Sequence, residues 1–135
     1  ERLNFERFRR YETVKQELHL AEQYCTEDAD IIVTAYGSVA RLAKAAVDSA
    51  REQGIKAGLF RPVTLWPFPV QEINEACRNA KRVLCVEMSM GQMIEDVKLA
   101  LDCRIPVDFY GLTGGVIPKP SAILEQIKTL AKEAE

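Results

Sequence analysis

The sequence predicts an α/β fold: a three-layer α/β/α domain whose mainly parallel sheet of about 4–5 strands lies between helices. Two observations carry this. Short apolar runs alternate with amphipathic stretches four times in succession from Ile31 onward, and Gly or Pro marks most of the junctions. The runs Ile31–Tyr36 and Arg82–Glu87 also lack polar alternation, as strands covered on both faces do.

Residues 1–25 place Phe8, Tyr11, Val14, Leu18, Ala21 and Cys25 at helical spacing between charges, which predicts an amphipathic helix. It reads as a linker packing on this domain or on a neighbour, so residues 1–27 form an N-terminal linker helix and 28–135 the α/β domain. Glu27-Asp28-Ala29-Asp30 is an acidic turn. The first strand, Ile31–Tyr36, is broken by Gly37-Ser38, with Ser38 placed to cap the next helix. That helix turns Leu42, Ala45, Ala46, Ser49 and Ala50 inward and stops at Gly54.

A second strand covers Lys56–Phe60 and should stop at Pro62, which lacks a backbone donor and restricts Arg61. Helix Val70–Asn79 turns Ile73, Ala76 and Cys77 inward. Arg82–Glu87 is the third strand, followed by Met88-Ser89-Met90-Gly91 and a helix over Gln92–Leu101 with Met93, Val97 and Ala100 apolar. Pro106–Tyr110 is a fourth strand. A loop over Gly111–Pro120 leads to Ser121, placed to cap a last helix carrying Ile123, Leu124, Ile127 and Leu130.

Composition narrows the function classes. The 135 residues suit one domain with a real core, and 47% hydrophobic with 28% charged residues is ordinary for a globular protein. A net charge of −2 carries no nucleic-acid footprint, and no apolar stretch is long enough for a membrane helix. Cys25, Cys77, Cys85 and Cys103 form no CxxC pair, and His19 is the only histidine, so neither a zinc nor an iron–sulfur site is expected. Free structural thiols in a reducing cytoplasm fit this usage. The absent initiator Met reads as a processed chain or, preferably, an excised piece of a longer one.

In a doubly wound sheet the functional edge lies at the carboxyl ends of the strands. Tyr36-Gly37-Ser38, Arg61–Pro69, Glu87–Gln92 and Gly111–Pro120 all fall there. Gly37-Ser38 is a tight turn or an anion site, although neither GxGxxG nor GK[ST] is present. Glu87 admits three readings: capping a neighbouring loop or pairing with Arg61, touching another subunit, or acting as an acid or base if burial raised its pKa. No His, Lys or second carboxylate stands near it in sequence, so no catalytic residue and no metal ligand is assigned. Met88, Met90 and Met93 cluster around Gly91 as filler or as an adaptable contact. Trp66 and Phe68, in a loop rich in Pro and aromatics, either fold over a core edge or anchor a partner. Gly114-Gly115 permits positive φ or close backbone approach, as a plain loop rather than a ligand cradle.

Four motifs then occur together: Thr34-Ala35-Tyr36-Gly37-Ser38-Val39-Ala40-Arg41, Gly58-Leu59-Phe60-Arg61-Pro62 running on to Trp66-Pro67-Phe68-Pro69, Val86-Glu87-Met88-Ser89-Met90-Gly91-Gln92-Met93, and Gly114-Gly115 before Pro120. In this combination the chain, from about Asp28 to Leu130, resembles the C-terminal domain of the alpha chain of 2-oxoacid:ferredoxin oxidoreductases, the 2-oxoisovalerate and 2-oxoglutarate types especially. The resemblance implies a fold like the transketolase C-terminal domain. It also implies an enzyme that decarboxylates a 2-oxoacid on thiamine diphosphate with magnesium, passes electrons through iron–sulfur clusters to ferredoxin, and forms acyl-CoA. Those cofactors belong to other parts of such enzymes, and none is expected in this chain. Ser89 stands where many relatives carry Asn, and the extra antiparallel strand common in such domains has no candidate in the sequence.

The expectation is therefore an assembly domain, inactive alone. Its interface residues are Arg61, Trp66, Phe68, Glu87, Met90 and Gln92. Its partners are a pyrimidine-binding domain of the same polypeptide, the beta and other subunits and, indirectly, ferredoxin. The alternative is a ligand-binding module in which Gly37, Ser38 and Gly91 hold a phosphate of CoA or a nucleotide. A flavodoxin-like carrier is disfavoured, since its phosphate loop should be richer in Ser and Thr.

Overall fold

At the centre of the molecule lies Ile31–Thr34 (β2), four consecutive residues with no appreciable exposure. A computed structural model describes residues 1–133 and places this strand in a five-stranded sheet. Chain order around it is Arg2–Glu17 (α1), Ala21–Tyr24 (β1), β2, Val39–Glu52 (α2), Ala57–Pro62 (β3), Val70–Ala76 (α3), Arg82–Glu87 (β4), Met93–Ala100 (α4), Val107–Gly111 (β5) and Pro120–Glu133 (α5). The strands lie in the order β1-β3-β2-β4-β5. β3, β2, β4 and β5 run parallel, and β1 is antiparallel to β3. The chain winds from β2 outward to β3, then crosses back to β4, so the order switches between β2 and β4.

Two cores follow from the alternation of side chains along the strands. Ile31, Val33, Leu59, Leu84 and Val86 pack against Ala43, Ala46, Val47 and Ala50 of α2 and against Ile123 and Ile127 of α5. Ile32, Phe60, Val83 and Cys85 point the other way, onto Ile73 of α3 and Met93, Ile94 and Val97 of α4. The alanine-lined face of α2 lets α5 lie alongside it. This is the three-layer α/β/α arrangement that the sequence predicts.

Several elements differ in detail. The N-terminal helix ends at Glu17, and Ala21–Tyr24 is instead the antiparallel edge strand. Its alternation is concealed because Glu22 and Gln23 are exposed, and only pairing with β3 makes it a strand. β3 continues through Pro62 rather than stopping before it. Phe60 accepts a hydrogen bond from Ala35 on the β2 side. Pro62, two residues on, therefore turns its missing N–H to the same side, where β2 has ended. The buried face of α2 is Val39, Ala40, Ala43, Ala46, Val47 and Ala50, one step round from the expected face, and Ala45 is exposed. Ser38 makes no side-chain cap, and Ser121 lies inside α5, which begins at Pro120.

The turn from β1 to β2 is held from α2 by Arg51. Its Nε donates to the carbonyl of Ala57 at 2.6 Å, and Nη2 donates to the Cys25 carbonyl and Asp28 Oδ1, both at 2.7 Å. The Asp28 carboxyl is held below its ordinary value, chiefly by that hydrogen bond from Arg51. Gly58 makes the close approach possible: a Cβ there would stand 2.5 Å from the Cys25 carbonyl oxygen and 3.1 Å from the Ala29 Cβ.

Candidate functional site

The carboxyl ends of β4 and β5 are organised by Glu87, the last residue of β4 and only 1% exposed. Glu87 shares its sheet face with Cys85, so it points beneath the start of α4. Its Oε2 accepts the backbone N–H groups of Gln92 and Met93 at 3.1 and 3.0 Å and the Ser89 hydroxyl at 2.8 Å. Its Oε1 accepts the N–H of Ile94 at 2.9 Å and the Cys85 thiol at 3.4 Å. Burial alone would raise the carboxyl pKa. The donors from Met93, Ser89, Ile94 and Gln92 outweigh it and hold the group below its ordinary value.

That arrangement sets what Glu87 can do chemically. An ionised carboxylate whose lone pairs point at fixed donors is a poor base and a poorer acid, whereas it is well suited to anchoring a turn. The first N–H groups of a helix need acceptors, and here a residue six positions upstream supplies them in place of a local cap. Gly91 completes the turn at φ +98°, a conformation that a side chain would strain.

The turn rests on the neighbouring loop. Leu112 donates its N–H to the Glu87 carbonyl at 3.0 Å. Gly111 leaves room for the Phe109 ring and the Ser89 carbonyl, and a Cβ there would come 2.6 Å from that oxygen. Met90 projects from this support at 83% exposure, and Val116 and Ile117 of the adjoining loop are also exposed. Gln92 is exposed as well.

Arg61 does not join Glu87. Thr34 is level with Phe60 on one side and Cys85 on the other, so Arg61 falls on the opposite sheet face from Glu87, with β2 between them. Arg61 pairs instead with its cross-strand partner Glu22 on β1, Nη1 to Oε2 at 3.0 Å. Finding that pair from sequence requires knowing that β1 exists.

Trp66 and Phe68 lie elsewhere again. They line a groove of about 640 Å³ with Lys15, His19, Val70, Glu72 and Leu99, which no residue of the Met88–Gln92 turn enters. Trp66 is exposed and stacks edge-on against Tyr11 of α1, with ring centroids 5.6 Å apart. Phe68 is half-buried against the core beneath α3 and α4. The Trp66–Pro67 peptide bond is cis. His19 Nδ1 lies 2.6 Å from Glu72 Oε1 and ties the chain after α1 to α3. The groove, with this His–Glu contact, is a feature that periodicity could not reveal, because it joins residues more than fifty positions apart.

The remaining candidates stay apart. Gly37 adopts a positive φ of 58° at the start of α2, with open space around it. Gly114 and Gly115 do the same in their loop. Among the described residues no group of His, Cys, Asp and Glu is placed to hold a metal ion. The four cysteines are free and dispersed, so this chain's own side chains do not fit an iron–sulfur cluster. No helix among the described residues is long and apolar enough to cross a membrane.

Residues 29–123 match the profile of a family described as pyruvate:ferredoxin oxidoreductase core domain II. The ketoisovalerate oxidoreductase subunit VorB of Methanothermobacter marburgensis is 42% identical over 134 residues, 99% of this chain and 38% of that protein. The 2-oxoglutarate synthase subunit KorA of the same organism is 40% identical over 102 residues, 76% of this chain and 27% of that protein. The chain thus spans well under half the length of these relatives. Among solved structures, a 2-oxoglutarate:ferredoxin oxidoreductase from Magnetococcus marinus superposes on 96% of the chain at a TM-score of 0.84 and 23% identity, using 23% of its own chain. A split-gene transketolase covers 86% at a TM-score of 0.70 and 17% identity, using 42% of its own chain. Both likenesses establish the fold, which agrees with the transketolase C-terminal-like architecture.

Proposed function

The chain belongs to the pyruvate:ferredoxin oxidoreductase core domain II family, and from that premise we propose that it is an assembly domain of a 2-oxoacid:ferredoxin oxidoreductase. The whole enzyme would convert a 2-oxoacid and CoA to acyl-CoA and CO2, with thiamine diphosphate, magnesium and iron–sulfur clusters held on its other parts and electrons leaving to ferredoxin. Residues 1–27 serve as the linker, which also lends β1 to the sheet, and residues 28–135 form the domain proper. The enzyme works in the cytoplasm, where four free thiols are stable. Ketoisovalerate is the first substrate to assay, because VorB is named for it.

One observation carries the reading. The best-buried carboxylate of the domain is committed to backbone and hydroxyl donors, so it supports an exposed turn and offers no acid or base. What the edge presents outward is Met90 with Gln92, suited to contact with a neighbouring protein surface. Trp66 and Phe68 offer a second contact, and Arg61, paired with Glu22, supports the β1 edge of the sheet.

Mixing the isolated chain with ketoisovalerate, CoA, thiamine diphosphate and ferredoxin should give no turnover, whereas the assembled enzyme should turn over. Turnover by the chain alone would sink the assembly reading. The alternative, a phosphate of CoA or a nucleotide held at Gly37, Ser38 and Gly91, draws on the uncapped first turn of α2. Calorimetry with CoA separates the two, since micromolar binding to this chain favours the alternative.

A further inference from the structure

α1 is a helix without a core. None of its 16 residues is buried, and Leu3, Phe8 and Tyr11 are 60%, 65% and 45% exposed. A lone helix of about this length is marginal in water, because helices in proteins owe most of their stability to a covered apolar face. By helical spacing, Leu3, Arg7, Arg10 and Val14 form one row along α1, and Phe8, Tyr11 and Lys15 form the row beside it. Tyr11 is the meeting point with the domain: its ring packs edge-on against both Phe8, at 6.0 Å, and Trp66, at 5.6 Å. The exposed stripe of α1 is therefore continuous with an indole that is itself 59% exposed. Arg7, Arg9 and Arg10 have no carboxylate within ion-pair distance among the described residues, although Arg2 and Lys15 each have one.

We propose that the Leu3–Tyr11 stripe and Trp66 form one composite surface, covered in the intact subunit by an apolar groove with acidic rims belonging to the rest of the same polypeptide. Three observations select that occupant over a free partner. The family match begins at residue 29, so α1 lies outside the matched domain. The match to VorB takes in 134 residues, so the segment that includes α1 is retained in a protein whose other part is longer than this whole chain. Arg7 and Arg10 in the Leu3 row and Arg9 nearby ask for carboxylates, and none lies within ion-pair distance of them among the described residues. The inference rests on the reading of the chain as part of such a subunit.

Hydrogen–deuterium exchange on the full-length subunit, purified without its partner subunits, tests it. Amides of residues 2–17 should be protected at every protein concentration. In a Leu3→Asp/Phe8→Asp variant they should exchange roughly tenfold faster or more, while peptides covering Ile31–Thr34 keep their protection. Arg7→Glu/Arg10→Glu, which reverses the charge of the Leu3 row and leaves Leu3, Phe8 and Tyr11 in place, should weaken protection in the same segment. Unprotected α1 amides in the wild-type subunit would overturn the proposal. Protection that grows with concentration would overturn it too, in favour of a second copy. Since no turnover is read, a failure here leaves the enzymatic reading intact, and an inactive enzyme with a protected α1 would count only against that reading.

Discussion

The carboxylate of Glu87 accepts the backbone N–H of Ile94 at 2.9 Å, joining the end of β4 to the first turn of α4. The two lie seven positions apart, and the intervening turn carries Met90 to the surface. The same carboxylate takes four further donors, so the shape of this edge depends on one side chain and on its charge.

Glu87→Gln should therefore destabilise the domain at neutral pH by about 1–3 kcal/mol, because an amide replaces an acceptor oxygen with a donor facing N–H groups. Urea unfolding at pH 7 measures it. The carboxyl pKa is depressed in the folded state relative to its ordinary value of 4.5. Its contribution is thus complete above about that pH and is lost as pH falls through the lower folded value. Wild type and variant should converge in stability in strong acid. A difference that stays constant with pH would show that the charge is irrelevant.

Gly58→Ala should cost about 1–3 kcal/mol through overpacking. The methyl would meet the Cys25 carbonyl, which Arg51 holds in place, so the turn from β1 to β2 has little room to retreat. Thermal melts would reveal the loss, and a melting point at or above wild type would contradict the packing described.

Thiol labelling should be uneven. Burial pushes the Cys77 thiol up to about 12. It raises that of Cys85 strongly as well, with Glu87 adding to the rise. The thiolate is the reactive form, so neither should react at pH 8 in the native protein, while exposed Cys103 reacts first. Mass spectrometry after brief iodoacetamide treatment reads the order. Labelling of Cys85 before unfolding would be inconsistent with this core.

Met90→Asp should leave the domain's stability within about 0.5 kcal/mol, since the side chain is exposed, and should still weaken assembly with the other subunits. Melting temperature and size-exclusion profile of the reconstituted enzyme give the two readings. Unchanged assembly would remove Met90 from the interface.

Much of the fold was legible because strands covered on both faces and helices with one apolar face leave different periods in the chain. Ile31–Thr34 and Arg82–Glu87 announce themselves as continuous apolar runs, and Ile73, Ile123 and Ile127 mark their helices. Ala21–Tyr24 does not, because an edge strand with two exposed positions takes its conformation from the partner it pairs with. The inward face of α2 is also ambiguous in sequence, since an alanine-rich helix offers several nearly equivalent apolar stripes and packing with α5 selects one.

By itself, the sequence determined the alternation of strands and helices, the three-layer class, the dispersal of the cysteines and the four edge segments, because these depend on local period and spacing. Only the tertiary structure decided that Arg61 pairs with Glu22 and that Glu87 caps α4. The order β1-β3-β2-β4-β5 and the parity of each strand set which side chains share a face, and neither can be read from residues taken one segment at a time. It likewise set Trp66 and Phe68 in a groove with residues of α1, α3 and α4 that the Met88–Gln92 turn does not line.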